Sequence, residues 1–224
     1  MASTSTRRWV ALWAALGLSA ALAGCGGGNG EAGKSAAAVL ADAKAATAAA
    51  GTVHVSGSGS SNGQSVSFDV TAGDSAGGGT VTLGGFPIDV VLGAGNLYLR
   101  GSKATWSHLT GSTAAGSLLA GRWVYVAAGD PSFASITDLL SLPALLAQLT
   151  PHGAVHKSAV RVDLGQRVVL ITGQAGATLE VDATGRPFIA AVVDAGRRVT
   201  LSGFGTSRAP AVPTGATPLA GLSG

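Results

Sequence analysis

Charged side chains make up 11% of the 224 residues, where about 25% is ordinary for a soluble domain. Nucleic-acid binding needs clustered Lys and Arg with aromatics between them. Here fourteen Lys and Arg are scattered, and aromatics reach only 5%, so a nucleic-acid partner is excluded. A single cysteine, Cys25, is present. It excludes an intrachain disulfide and leaves stability to packing. Four scattered histidines and that one cysteine give no Cys/His metal spacing. His152 and His156 are four apart but have no nearby carboxylate, so they read as surface histidines. Gly28-Asn29-Gly30-Glu31-Ala32-Gly33 fits G-x-G-x-x-G, yet no strand precedes it, so it fails as a dinucleotide site. Gly59-Ser60-Ser61-Asn62-Gly63 fits the nucleophile elbow G-x-S-x-G, but it joins two strands, where an elbow joins a strand to a helix. No acid/base or nucleophile constellation is left. The chain is expected to be no enzyme, with no catalytic residue, cofactor or metal.

Hydrophobicity is what the chain does have: 46% apolar residues and a mean hydropathy of +0.41. Part of it is concentrated at the start. Arg7 and Arg8 precede an apolar run from Trp9 to Ala23, which ends in Leu22-Ala23-Gly24-Cys25. A basic segment, a short apolar run and small residues before a cleavage point form an export signal. The run of fifteen residues is shorter than the roughly twenty a spanning helix needs. The pattern is that of a bacterial lipoprotein signal, with Cys25 where the lipid is attached, because a thiolate is a strong nucleophile. A plain secretory signal with a stray cysteine, or an uncleaved anchor, is the alternative. Residues 1–24 are thus expected to be removed. Residues 25–34 are expected to be a lipidated cysteine and a glycine-rich flexible tether, holding the protein by a diacylglyceryl group on the extracytoplasmic face of the cell membrane. The signal holds two bases and no acid, so the mature chain has twelve bases against eleven acids, a net charge of +1. The pI near 9.4 owes part of its value to the signal.

Ser35 caps an alanine-rich helix over 36–50, stopped by Gly51. Alternation then predicts strands at 52–56, 64–71 (Val66, Phe68 and Val70 on one face), 80–83, 88–92, 96–100 and 122–126. Between Ser135 and Leu149 the leucines recur three and four apart, the stripe of an amphipathic helix, with Pro143 kinking it or dividing it in two. Strands resume over 159–164, 167–172, 177–182, 188–194 and 197–204, with a type II′ turn at Gly165-Gln166. The tail from Ala209 is Pro/Ala/Gly-rich and reads as extended or frayed. The expected fold is α+β: one antiparallel sheet of eight to eleven strands with two helical excursions, curling because long twisted sheets curl.

Short segments of the chain resemble a known family. Leu97-Tyr98-Leu99-Arg100-Gly101 with Trp106, the strand Leu119–Val126 before the leucine-rich helix, and the late hairpin Asp182–Phe188 are similar to segments of the LppX/LprG group of actinobacterial lipoproteins, whose fold is LolA-like. The likeness is spread over 35–208. It implies a strongly curved sheet, a half-barrel, with helices covering its concave face around a hydrophobic cavity. It also implies a multi-acyl lipid or glycolipid ligand carried through the envelope, with a membrane transporter as a further partner. Candidate cavity-lining residues are Val66, Phe68, Val70, Leu83, Leu97, Leu99, Leu139, Leu140, Leu145, Leu146 and Leu149. The leucine stripe serves equally well as ordinary core. With a filled interior the same sheet would make a non-carrier envelope lipoprotein that binds a protein partner. Trp106 and Trp123 are expected to be packing residues, with lipid contact the alternative.

Overall fold

The alternation of apolar and small polar residues produces thirteen strands in one sheet. Among the described residues their order differs from the chain order at three joins. A computed structural model describes residues 28–219 apart from Asn62, His152 and Ala175. The signal segment and Cys25 lie outside them. Helix α1 (Ala36–Ala48) leads to strands β1 (Thr52–Ser61), β2 (Gln64–Gly73), β3 (Gly77–Leu83), β4 (Phe86–Gly93) and β5 (Asn96–Gly101). Helices α2 (Lys103–Thr110) and α3 (Thr113–Leu119) precede β6 (Val124–Ala127), and α4 (Ala134–Leu140) and α5 (Leu142–Leu149) follow it. Then come β7 (Val155–Lys157), β8 (Arg161–Asp163), β9 (Gln166–Gly173), β10 (Thr178–Asp182), β11 (Ile189–Asp194), β12 (Arg197–Ser202) and β13 (Thr217–Pro218). The spatial order is β13-β6-β5-β4-β3-β2-β1-β12-β11-β10-β9-β7, with β8 also on β9. Two meanders, β1–β6 and β9–β12, meet where β1 pairs with β12. All pairings are antiparallel except β13 on β6.

The helices of the leucine-rich stretch follow the expectation of two short helices. Ser141 ends α4 and caps α5 by accepting from the Ala144 N–H, and Pro143 occupies the first turn, where its missing N–H costs nothing. This break rests on the sheet: Ser141 bridges to Gly73, and a Cβ on Gly77 would collide with the Leu140 carbonyl. Gly57, Gly77 and Gly79 leave the middle of the inner face without side chains. Leu140, Leu142, Leu145 and Leu146 fill that space, together with Val55, Val70, Val90 and Leu201.

The strong curl anticipated from the sequence is therefore corrected. The sheet is open and not strongly curled. Helices lying directly on a glycine-bare centre bury the inner face without the sheet wrapping around it. Helices α2 and α3, unassigned by sequence, start at Ser102 and Ser112, whose side chains accept from the N–H groups of Thr105 and Ala115. The turn after β8 is also shifted: Asp163 pairs with Gln166, so Leu164 and Gly165, both with positive φ, form the turn in place of Gly165-Gln166.

Both ends of the described segment are more firmly held than the composition suggests. In the segment expected to be a free tether, Asn29 donates from its N–H to the Ala183 carbonyl at 3.0 Å and from Nδ2 to the Asp182 carbonyl at 2.8 Å. Glu31 is 1% exposed and receives Lys34 Nζ at 2.7 Å. Lys157 Nζ donates to the Ala32 and Lys34 carbonyls. Lys34, shared between Asp42 and Glu31, is held above the ordinary lysine range by those hydrogen bonds. At the other end the tail is extended, but it crosses the outer face. Pro210 packs on Gly78 and Val212 on Gly93, and Thr217–Pro218 adds to the β6 edge.

Two outcomes follow from this packing. Gly77→Ala should cost about 1–3 kcal/mol, the usual range for overpacking. At roughly 2–4 °C per kcal/mol for a domain of this size, calorimetry should show a fall in Tm of several degrees. Burial raises the Asp182 carboxyl to about 6. The folded state therefore binds the proton more tightly than the unfolded chain, and stability falls as pH rises from about 4 to about 6. Asp182→Asn should raise Tm at pH 7 and flatten that slope, while leaving Tm near pH 4 unchanged.

Candidate functional site

Beyond the last turn of α5 the inner face of the sheet has no helix over it. One cross-strand row there runs Leu179–Val192–Val199–Gly57–Phe68–Val81, each residue opposite the next. Gly57 carries no side chain, and the Phe68 ring lies over it, 2.9 Å from where a Cβ would stand. The next row outward, through Asp194, Arg197, Gly59 and Val66, sets a charged pair of residues at the rim.

Two open cavities lie along these rows. One, of 540 Å³, is roofed by Leu149, Thr150 and Pro151 and floored by Leu179 and Val192, with Gln148, Gln174 and Asp194 at its edge. The other, of 290 Å³, is lined by Val66, Phe68, Val192 and Val199, with Ser60 and Arg197 at its edge. Val192 and Asp194 line both, so the two form one groove. Arg197 donates to Ser60 Oγ at 3.1 Å across the rim. Each volume is near or within the range of about 300–1,000 Å³ typical of small-molecule sites.

Of the sequence candidates, Val66, Phe68 and Leu149 line this groove. Val70, Leu97, Leu99, Leu140, Leu145 and Leu146 are buried in the filled core, and Leu83 and Leu139 are half-buried against it. The chamber expected beneath the leucine stripe is thus occupied by side chains, because the glycine-bare strands let α4 and α5 sit close. Leu179, Val192 and Val199 were not singled out in the sequence, although they alternate as clearly as Val66 and Phe68. Their strands lie in the second meander, and nothing local in the sequence reveals that β12 returns to pair with β1. Cys25 lies outside the described residues.

Trp106 is buried, and Trp123 is half-buried beneath the Arg100 guanidinium, 4.7 Å from its ring centre. A separate cleft of 340 Å³ is lined by Pro87, Asp89, Arg100 and Ser102. Its Asp89 and Arg100 pair with each other at 2.8 Å.

Among the described residues one Ser/His/Asp chain is found, on the outer face. His54 Nδ1 is 3.2 Å from Ser202 Oγ, and Nε2 is 3.0 Å from Asp69. A working triad buries its carboxylate and sits in a cleft with an oxyanion site. The Asp69 side chain is 77% exposed, and the three residues line none of the cavities described above. They are cross-strand neighbours on a wet surface. The other polar cluster is structural. Glu180, 1% exposed, receives both ends of Arg198 at 2.9 and 2.6 Å, and Asp163 takes a third bond from that guanidinium at 2.9 Å. These acids, Glu180 foremost, raise the Arg198 pKa further. Among the described residues no three His, Cys, Asp or Glu side chains come together as a metal site. The groove is lined mainly by apolar side chains, with Ser60, Thr150, Asp194 and Arg197 at its edge.

No family model and no curated protein matches the sequence. Among solved structures, the crystal structure of LprF from Mycobacterium bovis is similar over 81% of this chain and 97% of that one, with a TM-score of 0.53 and 16% identity. LprF belongs to the lipoprotein group that the sequence segments resemble. The chain has the LprF fold.

Proposed function

We propose that this protein is an envelope lipoprotein of the LppX/LprG type. It is held by a diacylglyceryl group on Cys25 and takes an acyl lipid or glycolipid into the groove. The observation that supports it best is the open apolar row Leu179–Val192–Val199–Phe68 on a fold shared with LprF. Each acyl methylene taken from water contributes about 0.8 kcal/mol. A few chain segments laid along such a row therefore bind without catalytic groups. The rim residues Asp194, Arg197, Ser60 and Gln174 are available to a polar headgroup. Specificity would come from the length of the row and from that rim.

The filled core favours a second reading. Leu97, Leu99, Leu140, Leu145 and Leu146 leave no chamber behind the groove, so a protein-binding module with a solid interior uses the same sheet. The two are separated by lipid content. Protein purified under native conditions from an actinobacterial host and extracted for mass spectrometry should carry acyl lipid near one equivalent. Val192→Trp, which fills the floor shared by both cavities, should lower that several-fold with little change in Tm. Lipid-free protein from several lipid-rich preparations would establish the partner-binding reading instead. For the anchor, Cys25→Ala should release the protein from the membrane fraction, and unchanged retention would refute the lipidated cysteine.

A further inference from the structure

The exposed apolar residues of the β8–β9 hairpin serve no packing purpose. Val162 is 69% exposed and Leu164 81%. Leu164 also stands at φ 45°, a left-handed position where Asn, Asp or Gly is favoured and a bulky side chain is strained. The comparable turns at Ala94-Gly95 and Ala195-Gly196 carry only alanine there. A leucine that is both strained and wet points to something outside the fold.

The N-terminal segment shows what that is. Asn29 donates to the Ala183 carbonyl, and Ala183 donates to the Arg167 carbonyl at 2.8 Å. Arg167 sits opposite Val162. Asn29 is therefore two strand spacings from the hairpin. Three glycines, four chain steps, separate it from Cys25, a reach of at most about 14 Å. Arg167 and Arg186 are exposed at this end, and Arg186 lies over the Phe188 ring. Of the acids nearby, Asp163 is paired with Arg198, and Asp182 is half-buried.

We infer that this hairpin docks on the membrane that anchors Cys25. Val162 and Leu164 enter the headgroup region, and Arg167 and Arg186 face anionic lipid. The inference rests on the anchored-lipoprotein reading above. It adds an orientation. Strand β10 runs from Thr178 beside the groove to Asp182 beside Asn29, so the groove opens away from the anchoring membrane.

The test uses the mature lipidated chain in vesicles of phosphatidylglycerol and phosphatidylethanolamine containing a headgroup-nitroxide lipid. The lipidated Cys25 has no free thiol, so a fluorophore placed through Val162→Cys or Ala195→Cys labels one position only. The label at 162 should be quenched several-fold more than the label at 195. Adding Leu164→Asn, which suits the left-handed turn and preserves the fold, together with Arg167→Glu should bring quenching at 162 down to the level at 195. Equal quenching at the two positions in a chain that floats with the vesicles overturns the docking surface and leaves the groove's lipid content unaffected. A chain that does not float overturns the anchor and this orientation together.

Discussion

The contact between the α4–α5 junction and the glycine-bare centre of β2 and β3 governs the rest of the molecule. A sheet this wide must cover one face: α1 packs over the second meander, and over the centre the chain lays two helices of seven and eight residues. The two central helices come this close because Gly77 holds no side chain beneath Leu140, and Ser141 bridges to the Gly73 backbone. Close approach fills the middle and removes any need for the sheet to wrap. The same short helices stop at Leu149, which leaves the far end of the inner face open to solvent. Filled centre and open groove have one cause: how much helix is available and how near it can come.

What could be read in the sequence was whatever depends on neighbours along the chain. Alanines behind Ser35 made α1, spacings of three and four made the leucine-rich helices, and Pro143 marked their division. The meanders followed from alternation and turn residues. What could not be read depends on contacts distant in sequence. The pairing of β1 with β12 creates the groove floor, and no local pattern announces it. Half the floor was therefore anticipated through Val66 and Phe68, and the other half, Leu179, Val192 and Val199, was not. Binary patterning likewise cannot tell a leucine that lines a space from one that fills it, so Leu97 and Leu140 were assigned to a chamber they occupy. The docked tether escaped notice for the same reason, since Asn29 is held by carbonyls more than 150 residues away.

The scarcity of charge is managed by pairing. Glu180 is buried on the outer side of β10, and its carboxylate is tolerable only because the Arg198 guanidinium meets it end-on. Asp163 adds a further hydrogen bond to that guanidinium and so ties β8 to β12. Lys34 joins Glu31 to Asp42 at the start of α1, and Arg100 joins Asp89 to Trp123. Serine and threonine occupy much of the remaining outer surface of β1–β3, so the protein stays wettable with few ions to spare.

The last two paired residues of the tail have an effect larger than their number. A sheet with free margins invites any extended chain to zip onto it. By laying Thr217–Pro218 along β6, the polypeptide closes one margin with its own backbone, and proline offers no further N–H to a newcomer. With that margin covered, the β6 backbone there is no longer offered to another extended chain.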